Sequence, residues 1–449
     1  MFFKQFYDNN LSQASYLIGC QRTGEAMIID PIRDLTKYME VADEEGFTIT
    51  QAAETHIHAD FASGIRDVAE KLNASIYVSG EGNDDLSYKN MPQQTHFVRH
   101  QDTIYVGNIK LEVLHTPGHT PESISFLLTD EGGGSNIPMG LFSGDFIFVG
   151  DIGRPDLLEK AVQMKGSTEV GAKQMYQSIN SVKDLPDYIQ IWPGHGAGSP
   201  CGKALGAVPM STLGYEKINN WAFNVTEEAT FIETLTSNQP APPHHFAQMK
   251  QINQFGMNMY QPYNVYPSLN NERIAFDLRS KEAFHGGHAQ GTINIPYNHN
   301  FINQISWYLD YNKDIDLIGD KATVEEVVHT LQLIGFENVA GYRLPQTTIM
   351  TSSIHSADMT DKETNVLDVR NNEEWNQGHL EQAVNIPHGK LLNESIPFDK
   401  NDKIYVHCQS GVRSSIAIGI LEYRGFTNIV NVSEGYKDFP LALKSLALK

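Results

Sequence analysis

Positive charge is in short supply in this chain, where 33 Lys and Arg residues face 54 Asp and Glu for a formal net charge of −21. Sequence-independent binding to nucleic acid or to an anionic membrane surface needs a basic face, so neither partner is expected. Cysteine is scarce as well. Cys20, Cys201 and Cys408 lie far apart, a usage that excludes a disulfide framework and fits a reducing compartment, the cytoplasm, where a lone thiol serves packing or reactivity. No apolar run reaches the about 18 residues a membrane-spanning helix needs, and Met1 to Asp8 lacks the basic-then-apolar order of an export signal. Neither membrane insertion nor export is expected. The 449 residues suggest about three domains of roughly 150 each, and a hydrophobic content of 40% suffices for packed cores.

What the chain does contain is concentrated. Thr55-His56-Ile57-His58-Ala59-Asp60-Phe61 crowds two imidazoles and a carboxylate at the end of a β-like run, Phe47 to Thr55, and strand carboxyl ends are where open α/β sheets place their chemistry. His119 follows the β-like run 110–114 in His115-Thr116-Pro117-Gly118-His119; Asp145 lies within the β-like run 140–148; His195 follows 188–192 in Pro193-Gly194-His195-Gly196. Glycine and proline shape each turn and let backbone approach an ion closely, and imidazoles with carboxylates suit a divalent ion such as iron or zinc. Residues 62–72 read as a helix and 123–128 as a strand. His115 reads as a strand-edge polar residue rather than a ligand. Cys201, in a Gly-rich loop six residues after His195, is either a thiol near the metal or a small packed residue. Arg154 and Lys203 either lower its pKa and bind an anionic substrate tail or are ordinary solvated charges. Cys20, beside an apolar run, reads as structural.

Residues 237–266, with Gln-Pro-Ala-Pro-Pro-His-His and a Met-, Asn- and Gln-rich continuation, have the composition of a linker. Beyond it the chain repeats itself. Asp277-x-Arg279, Gly287-His288 and Asn294-Ile295-Pro296 recur 91 residues later as Asp368-x-Arg370, Gly378-His379 and Asn385-Ile386-Pro387, so residues 267–350 and 358–449 read as duplicated domains on one plan. In the second copy a strand, 403–407, runs into Cys408-Gln409-Ser410-Gly411-Val412-Arg413 and then a helix, 414–424. Loop amides, the helix N-terminus and Arg413 would stabilise a thiolate and an anionic product there. The first copy has no cysteine, and by the spacing before its loop Asp320 falls near the thiol position.

His56-x-His58-x-Asp60, Pro117-Gly118-His119, Gly144-Asp145 and Pro193-Gly194-His195 together resemble the metallo-β-lactamase fold superfamily over residues 1–236. That resemblance implies an αββα sandwich with metal between strand-end loops. Binuclear zinc hydrolases of the family carry a His directly after the Asp, where this chain has Phe61. The departure moves the resemblance toward the persulfide dioxygenases, in which two His and one Asp hold mononuclear Fe(II). By motif position the ligands are His56, His119 and Asp145, a facial set with three open positions, and His58, Asp60 and His195 become supporting groups or remnants of a second site. The Cys408 loop resembles that of rhodaneses. Phosphatases use a similar cradle with five residues between Cys and Arg, whereas this chain has four, which suits a sulfane sulfur better than a phosphate.

The whole chain resembles bacterial fusions of a persulfide dioxygenase with an inactive and an active rhodanese domain, an α/β architecture throughout. The resemblance implies oxidation of a low-molecular-weight thiol persulfide by dioxygen to sulfite, then thiosulfate formation through a Cys408 persulfide, in sulfide detoxification. It also implies a homo-oligomer, and the inactive repeat is expected to be structural or a docking place for a sulfur-carrier protein. Two other readings stand beside it: a zinc-dependent thioester hydrolase of the glyoxalase II type, and a sulfur-relay protein with a degenerate metal site.

Overall fold

In the computed structural model, which describes residues 1–83, 86–270, 272–360 and 365–446, the chain divides into two units, Met1–Pro262 with Leu331–Gly335, and Tyr263–Thr330 with Phe336–Lys449. Side-chain alternation sets the layers of the first. In strand Gln13–Gly19, Ala14, Tyr16 and Ile18 enter one core and Leu17 another; in Glu25–Ile29, Met27 and Ile29 part from Ala26 and Ile28 in the same way. This is the two-residue period of strands buried on both faces. They belong to a six-stranded sheet that continues through Thr48–Ala53, Ser75–Ser79 and Thr95–Val98.

A second six-stranded sheet takes the order Ser211–Thr212, Gln190–Pro193, Gly140–Gly144, Ile124–Asp130, Ile109–His115, Thr103–Val106. The inner core between the sheets holds Tyr16, Ile29, Leu111, Val113, Phe126, Phe142 and Trp192. Helices Thr36–Glu44 and Ile65–Leu72 cover the outer face of the first sheet, and Ser167–Val182 and Glu228–Thr236 that of the second. The result is the expected αββα sandwich.

Two expectations fail locally. The run 140–148 does not continue as one strand; it stops at Gly144, whose φ is +52° and where an added Cβ would lie 2.5 Å from Thr55 Oγ1. Asp145 therefore sits just beyond the strand end and not within it. The stretch with linker composition contains a helix, Phe246–Phe255, that belongs to the first unit. Its buried residues, Phe246, Met249, Lys250 and Asn253, follow the i, i+3, i+4, i+7 spacing of one helix face. Two of them are polar, so the face does not show as an apolar stripe.

The second unit contains both sequence copies. The first forms a parallel sheet in the order Ile293–Asn294, Ala275–Asp277, Ile315–Ile318, Val339–Arg343; the second has Ala383–Asn385, Val366–Asp368, Ile404–His407, Ile429–Ser433 and then Ser352–His355. The shared order has a shared staple. Arg279 Nη2 donates to Asp277 Oδ2 at 2.6 Å and to Gly287 O at 3.0 Å, while Asn294 Nδ2 reaches Asp277 O and Arg279 O. Arg370 and Asn385 repeat every one of these bonds on Asp368, Gly378 and Arg370. The recurring motifs are thus scaffold, tying a strand end to the next loop. Among the described residues no helix is long and apolar enough to cross a membrane.

Candidate functional site

The turns after three strands bring His56, His119 and Asp145 together, with one ligand atom from each within 4.8 Å of the others. Asp145 Oδ2 lies 3.4 Å from His119 Nε2 and 3.8 Å from His56 Nε2. Each imidazole is aimed from behind: His56 Nδ1 bonds Thr55 Oγ1 at 3.0 Å, and His119 Nδ1 bonds the Arg154 carbonyl at 2.9 Å. Holding Nδ1 leaves Nε2 to face the centre, as ligating histidines require. Gly194 keeps space for the carboxylate, since an added Cβ would come within 2.8 Å of Asp145 Oδ1.

The buried atoms His56 Nε2, Asp145 Oδ1 and Oδ2, His195 Nε2 and both Asp60 oxygens have no hydrogen-bond partner in the protein. Unsatisfied lone pairs in such number are costly away from water. Burial lifts the Asp145 carboxyl to about 6 and pulls the His119 imidazole down to about 3. A divalent cation offsets both penalties, so the residues present fit a metal ion. A second set, Asp60, His195 and Cys201, also lies within 4.8 Å, with His195 Nε2 3.4 Å from Asp145 Oδ1. Burial first, then Asp145 and Asp60, push the Cys201 thiol well above its ordinary pKa.

One helix grips the loop that carries His56. From Phe246–Phe255 and the residue before it, Lys250 Nζ donates to Ile57 O, Asn253 Nδ2 to His58 O at 2.9 Å and Phe61 O at 2.7 Å, and His245 Nε2 bonds Asp60 O at 2.9 Å. Four carbonyls that a tight turn leaves open are satisfied from a segment nearly 200 residues away in sequence. Lys250 is buried, with Glu122 Oε1 3.7 Å from its ammonium.

In the second unit, Cys408 directly follows strand Ile404–His407 and precedes helix Val412–Tyr423. The Gly411 N–H donates to Cys408 Sγ at 3.1 Å, and Gly411 takes φ +94°, a conformation glycine adopts without strain. Tyr436 N donates to Cys408 O at 2.8 Å.

Residues 8–195 match the family model described as metallo-beta-lactamase superfamily, and residues 353–441 that of the rhodanese-like domain. A metallo-beta-lactamase of Staphylococcus aureus subsp. aureus COL, known from a crystal structure, is 75% identical, with 77% of this chain and 99% of that one covered and a TM-score of 0.74. The chain belongs to the metallo-beta-lactamase superfamily. Its metallo-beta-lactamase domain is joined to a C-terminal rhodanese-like domain. The mitochondrial persulfide dioxygenase ETHE1 of Mus musculus is 26% identical over 194 residues, 43% of this chain and 67% of its own length. The probable polyketide biosynthesis zinc-dependent hydrolase PksB of Bacillus subtilis (strain 168) is 25% identical over 191 residues, 42% and 76%.

Within the metallo-beta-lactamase domain, His58 is not part of the His56, His119 and Asp145 set. Burial lowers its pKa, but the bond to Asp30 at 3.3 Å, with Glu54 and Asp60 nearby, outweighs it and raises the value to about 9. Phe61 is fully buried with its ring 4.4 Å from that of His58. His115 bonds Pro121 O at its strand edge, and Cys20 accepts from Asn108 N. Arg154 corrects both of its expected readings, substrate cation and solvated charge. Arg154 is fully buried and spent on Asp156, Pro200 O and Pro240 O, so its part is to hold His119 and, through Arg154 N on Cys201 O, the thiol loop. Lys203 is exposed and donates to Ser237 O.

The second unit brings two more corrections. Arg413 is not a free cation beside the thiol; its guanidinium forks onto Glu374 at 2.5 and 2.8 Å, with Cys408 a further electrostatic neighbour. In the first copy, strand register pairs Asp277 with Ile318 as it pairs Asp368 with His407. Gly319, not Asp320, therefore stands at the Cys408 position. Asp320 is a helix cap, accepting from Thr323 N and Thr323 Oγ1. Lys250, Asn253, His245 and Glu374 went unseen in the sequence; only the helical spacing of 246, 249, 250 and 253 signals the first pair.

Proposed function

We propose that the protein oxidises a low-molecular-weight thiol persulfide and forms thiosulfate, in sulfide detoxification. The first reaction balances as RSSH + O2 + H2O → RSH + sulfite + two protons; in the second a Cys408 persulfide gives its outer sulfur to sulfite. The observation that carries the reading is the buried His56, His119 and Asp145 set beside Phe61, which removes a ligand where the family's two-ion hydrolases have one. The identity with persulfide dioxygenase ETHE1 supports it. Mononuclear Fe(II), held by His56, His119 and Asp145, would supply dioxygen activation when bound.

The chain's own part is orientation and exclusion of water. Thr55 Oγ1 and the Arg154 carbonyl hold the two imidazoles, the helix Phe246–Phe255 holds the loop, and buried Phe61 and Phe148 keep the pocket dry. Cys201, a buried thiol beside Asp60 and His195, takes the outer sulfur of the persulfide with release of the donor thiol, RSSH + Cys201–SH → RSH + Cys201–SSH. In the rhodanese-like domain the Gly411 amide stabilises the Cys408 thiolate. Residues 267–350 are a rhodanese-like repeat without a thiol, and the protein works in the cytoplasm as a homo-oligomer. The test is anaerobic iron loading followed by oxygen uptake with a small persulfide. Stoichiometric uptake with sulfite release is expected; an iron-loaded protein that consumes no oxygen overturns the dioxygenase assignment.

A second reading has one observation in its favour. Asp60, His195 and Cys201 gather as a further donor set, which fits a two-ion hydrolase such as the zinc-dependent relative. Two zinc ions per chain with oxygen-independent thioester turnover would decide for it.

A further inference from the structure

Sulfur transfer at Cys408 has an electrostatic obstacle. The persulfide anion carries one negative charge and sulfite two. Sulfite sulfur attacks the outer sulfur, the S–S bond to Sγ breaks, its electron pair returns to Sγ as thiolate, and thiosulfate leaves with two charges. Three negative charges thus share the loop throughout, and like charges at such range need cations nearby.

Arg413 and Arg370 of the same repeat are each tied to a carboxylate. Arg413 forks onto Glu374, and Arg370 forks onto Asp368 through Nε–Oδ1 at 3.1 Å and Nη2–Oδ2 at 2.7 Å. Each pair is neutral as a unit. The thiol-less repeat supplies a different cation: Lys281 Nζ donates to Ser410 O at 3.2 Å and lies 3.2 Å from the place a Cβ would take on Gly411. Both residues belong to the Cys408 loop. Among the described residues, the carboxylate paired with Lys281 is Glu282 at 3.9 Å, and that side chain is 72% exposed, so water screens the pair.

Lys281 is held over the loop by a wider contact. His288 Nε2 bonds Glu422 Oε2 at 2.9 Å, Gly291 N donates to the same oxygen, and Ser415 Oγ donates to Asn294 Oδ1 at 2.8 Å. Gly419 packs so tightly that an added Cβ would meet Thr292 O at 2.3 Å. Ser415, Gly419 and Glu422 all lie on helix Val412–Tyr423, whose first turn closes the Cys408 loop.

We propose that Lys281 of the thiol-less repeat completes the Cys408 site as the cation that recognises doubly charged sulfur oxyanions, sulfite and thiosulfate. This rests on the sulfurtransferase reading of Cys408. The test uses the full chain with Cys408 loaded by cysteine persulfide, and measures kcat/KM for sulfite and for cyanide, an acceptor mostly neutral as HCN near pH 7. For Lys281→Ala the sulfite-to-cyanide ratio is expected to fall roughly tenfold, mainly through sulfite KM, and the salt dependence of the sulfite rate to flatten. Lys281→Arg should restore most of the ratio. An unchanged ratio in Lys281→Ala, or equal losses with both acceptors, overturns the proposal, the latter marking a purely structural lysine. Wild-type protein that transfers sulfur to neither acceptor overturns the reading of Cys408 itself, and this proposal with it.

Discussion

The two copies in the second unit share a sheet order and a hydrogen-bonded staple but differ in one loop. After the equivalent strand ends, the first copy has Gly319 and Asp320 before helix Lys321–Leu333, whereas the second has Cys408, Gln409, Ser410 and Gly411 before Val412. Two residues decide whether a cradle exists. The four-residue loop has room to bring a backbone N–H onto the sulfur; the two-residue loop passes straight into a capped helix. Scaffold and thiol are therefore separable here: Asp277 and Asp368 keep the same fold at two places while the cysteine is present at one.

That comparison breaks most visibly at the thiol. Cys408→Ser is expected to abolish thiosulfate formation while sulfite accumulates from the first reaction, read by chromatography of both anions; unchanged thiosulfate would reject Cys408 as the carrier. Next in size is the staple. Asp368→Ala leaves the buried Arg370 without its partner and should cost about 3–5 kcal/mol of second-unit stability. Asp277→Ala should cost less, about 1–3 kcal/mol, because the Arg279 side chain is 24% exposed. Urea titration with Cys408 thiol reactivity as the probe measures both, and equal losses would contradict the difference in burial.

A smaller effect concerns acid. His388 follows Pro387 where the first copy has Tyr297 after Pro296, each donating its N–H to the residue after the Asp of the motif, Val369 O or Leu278 O. Burial, then Arg413, holds the His388 imidazole down to about 4. Its ordinary value is about 6.5, so the unfolded chain takes up this proton first. The stability this neutral histidine contributes is complete above that ordinary value and is lost as pH falls through the folded one. His388→Gln should flatten the decline of the melting temperature from pH 6.5 to 4 by a few degrees; an identical slope would remove His388 as its source. Smallest of all, Gly319→Cys placed in the Cys408→Ser background should restore no sulfur transfer, since the loop is two residues short. Recovered thiosulfate formation would show that the thiol alone is enough.

Much of this is legible in the sequence. The His56 turn stands out because two imidazoles and a carboxylate crowd it, the His119, Asp145 and His195 turns because glycine or proline shapes each one, and the Cys408 loop because a short glycine-bearing run separates strand from helix. The supporting groups were hidden for physical reasons. Lys250 and Asn253 are polar residues on a buried helix face, so they erase the apolar stripe that would have revealed it. Arg154 acts largely through its backbone carbonyl, which carries no residue signature. Asp320 stands one position beyond the thiol place, because spacing counts residues whereas strand register depends on pairing.

Local chemistry was the sequence's to determine: the types of donor, the turns that present them, the missing imidazole at Phe61, the single reactive loop and the duplicated plan. Those depend on residues close together in the chain, where spacing and backbone preference speak directly. Tertiary structure alone decided what surrounds them. It placed a distant helix on the carbonyls of the His56 loop, matched Arg413 and Arg370 to carboxylates, and put Lys281 of the thiol-less repeat over the Cys408 loop. Partners of that kind are chosen by packing between segments far apart in sequence, and no local pattern records which will meet.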